Sequence, residues 1–122
     1  MDENSDVVSQ FFAAYAKALL DRDVEAIAAH YAVPALIEFP GQRIVVTEAA
    51  PTVDFFARAL AQYVKVTEAD AVFEIAAAAD HSIWVEVTWD YHGAVLGERN
   101  MYQLVRIDGG WKIAVLTPLS LS

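Results

Sequence analysis

The chain of 122 residues contains no cysteine. That absence excludes disulfides, thiolate nucleophiles, thiol redox chemistry and every zinc site built on sulfur, so stability must come from packing. Basic residues are scarce: 8 Lys and Arg stand against 17 Asp and Glu, for a net charge of −9. Such a surface repels phosphate backbones and anionic membranes, which removes nucleic acid as an expected partner. No apolar run approaches the roughly 18 residues that span a bilayer. The start, Met1-Asp2-Glu3-Asn4, lacks the basic and apolar stretches of a secretion signal. No membrane association and a cytoplasmic location are therefore expected. Repeats, low-complexity tracts, linkers and charge blocks are missing as well, so residues 1–122 read as a single domain.

What the chain has in quantity is apolar side chains, 57% of residues against 20% charged. A domain of this length buries roughly two-thirds of the surface its unfolded chain exposes. The apolar excess over one small core predicts a second buried surface.

Periodicity divides the chain into a helical first third and a strand-rich remainder. Val8, Phe12, Tyr15 and Leu19 recur at four, three and four residues and share one helical face between Val7 and Leu20, with Asn4 or Ser5 as cap. Asp23 is a good N-cap for a second helix over Val24–Tyr31 with Ile27 and Tyr31 inward, and Asp21 also reads as a cap. Pro34 stops that helix. Ala35–Phe39 reads as a strand closed by Pro40-Gly41, with Arg43–Thr47 as hairpin partner. A third helix starts near Pro51, its stripe formed by Val53, Phe56, Leu60 and Tyr63. Strands follow over Val64–Ala78, Ser82–Tyr91, Glu98–Ile107 and Trp111–Leu116, separated by Asp80-His81, His92-Gly93 and Asp108-Gly109-Gly110 corners, which implies an antiparallel meander. Along the second of these strands Glu86, Thr88 and Asp90 alternate with Val85, Val87 and Trp89, so the latter set faces the core and Trp84 joins the polar face.

This order of elements resembles the nuclear transport factor 2-like superfamily over essentially the whole chain. The resemblance is carried by Phe12-x-x-Tyr15, Asp23-Val24-Glu25-Ala26-Ile27 with His30-Tyr31-Ala32, Ile37-Glu38-Phe39-Pro40-Gly41, and Arg106-Ile107-Asp108-Gly109-Gly110-Trp111-Lys112-Ile113. It implies an α+β cone: a curved antiparallel sheet with three N-terminal helices enclosing an apolar pocket. The superfamily includes steroid delta-isomerases, SnoaL-like polyketide cyclases, limonene epoxide hydrolase and scytalone dehydratase, so the scaffold specifies fold better than activity. Tyr15–Pro40 looks most like the steroid delta-isomerase branch. By that likeness Tyr15 falls at the tyrosine that donates to a developing enolate oxygen, Gln103 at the second oxyanion donor, and Phe39 at the aspartate general base. Phe39 cannot accept a proton, which argues against isomerisation by that route.

The expected catalytic residues are thus Tyr15 and Gln103. The expected pocket is lined by Phe12, Leu19, Tyr31, Phe39, Phe56, Leu60, Val85, Val87, Trp89, Arg99 and Met101. Arg99, Met101 and Gln103 share one side of their strand, inward if the resemblance holds. Glu38 turns away from Phe39 by alternation, His81 and His92 sit at turns, and His30 reads as a surface histidine or a pocket-mouth residue. No metal site or cofactor is expected, because the histidines lack helical ligand spacing. Trp84, Thr88, Tyr102 and Leu104 form the opposite, outer face, expected to join a homodimer. The functional expectation is a small-molecule pocket protein of the SnoaL-like type, an isomerase, cyclase or hydrolase acting on a mostly apolar cyclic carbonyl compound. A non-catalytic ligand-binding or dimerisation module is the open alternative, and a subunit of a larger assembly is a third.

Overall fold

The computed structural model describes residues 3–39, 41–60, 68–92 and 98–119. Helix α1 (Glu3–Asp21) buries Val8, Phe12, Tyr15 and Ala18, the face that the spacing predicts. It ends in a Schellman turn: Arg22 N–H donates to the Leu19 carbonyl at 3.1 Å and Asp23 N–H to that of Ala18 at 3.1 Å. Arg22 occupies the left-handed position of this turn at φ 56, where glycine is usual. Asp23 then caps helix α2 (Val24–Ala29), its carboxylate accepting from Ala26 N–H at 3.1 Å.

Helix α2 stops at Ala29 rather than Tyr31, because Ile113 N–H donates to the His30 carbonyl at 2.7 Å and draws the chain into the sheet. Strand β1 (Tyr31–Phe39) accordingly begins four residues before the strand expected at Ala35, with Pro34 inside it at a register irregularity rather than ahead of it. It pairs with β2 (Gln42–Val46) as the expected hairpin. Helix α3 (Ala49–Ala59) buries Thr52 and Phe56. Tyr63, residues 64–67 and the Gly93 corner lie outside the described residues. The remaining strands are β3 (Glu68–Ala79), β4 (Ser82–His92), β5 (Glu98–Ile107) and β6 (Gly110–Leu119).

The six strands form one curved, open sheet in the order β2-β1-β6-β5-β4-β3. β3 to β6 are the expected antiparallel meander. The sheet as a whole is mixed, however, since β1 runs parallel to β6. Period-2 patterning does not report the direction of a strand relative to its neighbour. The inner face carries Ile83, Val85, Val87 and Trp89 of β4, all at most 1% exposed, packed against Phe12 and Tyr15 of α1. No helix is long and apolar enough to cross a membrane among the described residues.

Candidate functional site

Between helices and inner sheet face lies a cavity of about 470 Å³, a size usual for small-molecule sites. Helix α1 contributes Tyr15 and Leu19, α3 contributes Phe55 and Phe56, and β1 contributes Phe39. Strands β4 and β5 bring Trp89, Tyr91, Glu98, Asn100 and Tyr102 to the same space. Phe39 and Phe55 stack with ring centroids 5.3 Å apart, and Trp89 and Tyr91 lie parallel at 6.1 Å. The wall is therefore largely aromatic, and its polar groups stand out.

Those polar groups are phenols, one amide, one carboxylate and the guanidinium groups of Arg22, Arg58 and Arg99. Tyr15 and Tyr31 share a hydrogen bond of 2.7 Å between their hydroxyls, so one O–H proton of the pair is left over whichever donates. Trp89 Nε1 donates to the Tyr102 hydroxyl at 3.0 Å, and Asn100 Nδ2 donates to it at 3.1 Å. Tyr91 donates to Glu98 Oε1 at 2.8 Å. Burial pushes the Tyr15 and Tyr31 hydroxyls well above the usual phenol value; the neighbouring phenols add to it at Tyr15, while at Tyr31 the bond with Tyr15 offsets part of it. Burial likewise raises Tyr102; the bonds from Trp89 and Asn100 offset part of this, and the Glu98 charge adds to it. These groups are neutral hydrogen-bond donors at physiological pH, in a setting where one fixed dipole counts for more than in water.

Of the residues expected from sequence, Tyr15, Leu19, Phe39, Phe56, Leu60, Trp89 and Arg99 line the cavity. Phe12, Tyr31, Val85 and Val87 lie in the buried core beneath it, where Tyr31 supports the Tyr15 hydroxyl and Phe12 packs on Tyr102 with centroids 4.9 Å apart. The parity of β5 is the reverse of the expectation. Tyr102 and Leu104, expected on the outer face, are 2% and 0% exposed and stand opposite Val85 and Ile83 on the inner one. Met101 and Gln103, expected inside, stand opposite Glu86 and Trp84 on the outer face, and Gln103 donates to Ser82 Oγ at 2.9 Å. Gln103 is therefore not an oxyanion donor beside Tyr15. The cause is register: hydrogen bonding to β4 fixes which residues share its inner face, and both sides of β5 are apolar enough to hide the alternation. Arg99 reaches the cavity rim, while its Nε binds Glu86 Oε2 at 2.7 Å and holds that carboxyl below its ordinary value.

The other candidates lie elsewhere. His30 Nδ1 is 2.8 Å from the Ala26 carbonyl, and its ring packs edge-on against Phe11 and Tyr15. Glu38 pairs with Arg43 at 2.6 Å, and Asp90 is exposed opposite Asp70. Among the described residues no group of three or more His, Asp or Glu could hold a metal ion. Sequence reasoning missed Glu98, Asn100 and Tyr102, which share one strand parity, and it missed Arg22 and Arg58 at the cavity. The signal for the first three was present: once Tyr102 faces inward, the residues two and four before it do as well.

Residues 2–120 match a protein-family model described as NTF2-like protein (DUF6841). An NTF2-like protein from Cytophaga hutchinsonii ATCC 33406 superposes with a TM-score of 0.75 at 15% identity, over 99% of this chain and 100% of that one. An NTF-2 like protein of unknown function from Shewanella oneidensis MR-1 gives 0.74 at 15% identity, covering 94% and 98%. Aln2 from a Streptomyces species gives 0.71 at 20% identity, covering 97% and 90%. At these identities the likeness is one of fold. No curated protein matches the chain.

Proposed function

Since the chain belongs to the NTF2-like family DUF6841, we propose that its cavity binds a small, mostly apolar cyclic carbonyl compound and that Glu98 moves a proton on it. The observation that carries this reading is the coincidence of one carboxylate with buried phenols in an aromatic cavity of about 470 Å³. In such a setting a carboxylate can take a proton from the carbon beside a carbonyl while a phenol stabilises the charge that moves onto oxygen. That pairing suits isomerase-type or cyclase-type proton transfer. Phe39, the residue at the expected base position, becomes part of the apolar wall in this reading.

Thermal shift with ketones borne on apolar ring systems, 2-acetylnaphthalene first, tests it. A ligand at ten times its Kd should stabilise the fold by about 1.4 kcal/mol, and Ala69→Trp, which fills the cavity from β3, should abolish the shift while leaving the fold intact. A panel in which no such ketone raises the melting temperature overturns the proposal. Ligand binding without turnover remains the second reading, because Glu98 already accepts a hydrogen bond from Tyr91. A homodimer across the outer sheet face belongs to the same proposal. With Tyr102 and Leu104 turned inward, that face rests on Trp84, 38% exposed, and Thr88. Trp84→Lys should convert a dimer to a monomer in analytical ultracentrifugation, and a wild-type monomer refutes it.

A further inference from the structure

We infer that the Tyr102 hydroxyl is a one-way hydrogen-bond donor to the cavity's occupant, selecting a ligand that presents an acceptor oxygen at that end. A phenol has one O–H proton to give and two lone pairs to receive with. Trp89 Nε1 and Asn100 Nδ2 occupy the oxygen as donors at 3.0 and 3.1 Å. Neither nitrogen can accept in return, since an indole N–H and an amide NH₂ are donors only. Among the described residues no acceptor takes the Tyr102 proton. Yet Tyr102 is 2% exposed and borders the cavity. A buried donor without an acceptor is costly, and a ligand oxygen in the cavity removes that cost.

Among the described residues Tyr15 and Tyr31 bond only to each other, so the pair can reverse its direction and either give or receive. Tyr102 cannot reverse, because the indole on the neighbouring strand and the amide two residues away both point their protons at it. The recognised group is thus a carbonyl, or the enolate or phenolate oxygen derived from one, in preference to a hydrocarbon or an N–H donor. The inference rests on the small-molecule reading above and names the atom that orients the ligand within it.

The test is a matched pair, 2-acetylnaphthalene against 2-ethylnaphthalene, which differ by the carbonyl oxygen. Wild-type protein should bind the ketone about tenfold more tightly, and the infrared stretch of its ¹³C-labelled carbonyl should fall on binding. Tyr102→Phe should abolish the preference with the hydrocarbon's affinity unchanged. Asn100→Asp, which supplies a carboxylate acceptor for the Tyr102 proton, should abolish it too and decides the matter if Tyr102→Phe fails to fold. Equal affinities with an unshifted carbonyl band, or a preference that survives Tyr102→Phe, overturn the assignment and leave the cavity reading standing. Binding of neither compound overturns both.

Discussion

The Trp89 indole donates to the Tyr102 hydroxyl at 3.0 Å, joining β4 to β5 inside the core. Tyr102→Phe leaves this N–H and the Asn100 amide without their acceptor, at a cost of about 1–3 kcal/mol. Trp89→Phe removes one of the two donors beforehand. The two substitutions should therefore be sub-additive by about 0.5–3 kcal/mol in urea unfolding. Strict additivity would show that the bond contributes nothing.

Alkaline pH acts on the same phenols. Burial holds Tyr15, Tyr31 and Tyr102 above the unfolded value of about 10. Above that pH the unfolded chain releases these protons while the folded chain retains them, so the folded state binds more protons and stability falls as pH rises. Each phenol contributes up to about 1.4 kcal/mol per pH unit in that window, and all of this stability is present below it. Melting temperature should be insensitive to these groups near neutrality and drop steeply above pH 10. Tyr15→Phe should flatten the drop; an unchanged slope would place that phenol in water.

Arg22 sits at φ 56 in the turn between α1 and α2 and borders the cavity. Its Nη1 bond to the Leu20 carbonyl, 2.8 Å, is solvent-exposed and offsets little of the left-handed strain. Arg22→Gly should stabilise the fold by about 0.5–1 kcal/mol in chemical denaturation. A loss of stability would show that the side chain's interactions outweigh the backbone cost.

Thr52 is 1% exposed, and its hydroxyl has no hydrogen-bond partner among the described residues. Valine has the same shape without the polar atom. Thr52→Val should therefore raise stability by about 1–2 kcal/mol. A decrease would point to an acceptor for that hydroxyl.

Much of this arrangement is legible in the sequence, and the reason varies by element. On β4, Glu86 and Thr88 contrast with Val85 and Trp89, so one polar face reveals the other, and helical spacing alone identifies Tyr15. On β5, Met101, Tyr102, Gln103 and Leu104 alternate without such contrast. Their facing is decided by pairing with Val85 and Ile83, a non-local fact. That single parity moves Gln103 out of the cavity and brings Glu98, Asn100 and Tyr102 into it. The parallel β1–β6 pairing is hidden for a similar reason, since nothing local to Tyr31 announces Ile113 as its neighbour.

Glu98 separates turnover from binding alone. Its carboxylate borders the cavity and accepts from Tyr91 at 2.8 Å, in the space where Tyr102 would hold a carbonyl oxygen. If Glu98 takes a proton from the methyl carbon of bound 2-acetylnaphthalene, the C–H electron pair becomes the enolate double bond and the charge moves to oxygen. Exchange of the carboxyl proton with D₂O then returns a deuteron to that carbon. Wild-type protein should accelerate deuteration of the methyl group, read by NMR. Glu98→Gln keeps the shape but removes the base, and should slow the exchange by about 10²–10⁴-fold while ketone affinity changes only a few-fold. Exchange that survives the substitution would place the base elsewhere. Tight binding with no wild-type exchange would make the cavity a receptor rather than an active site.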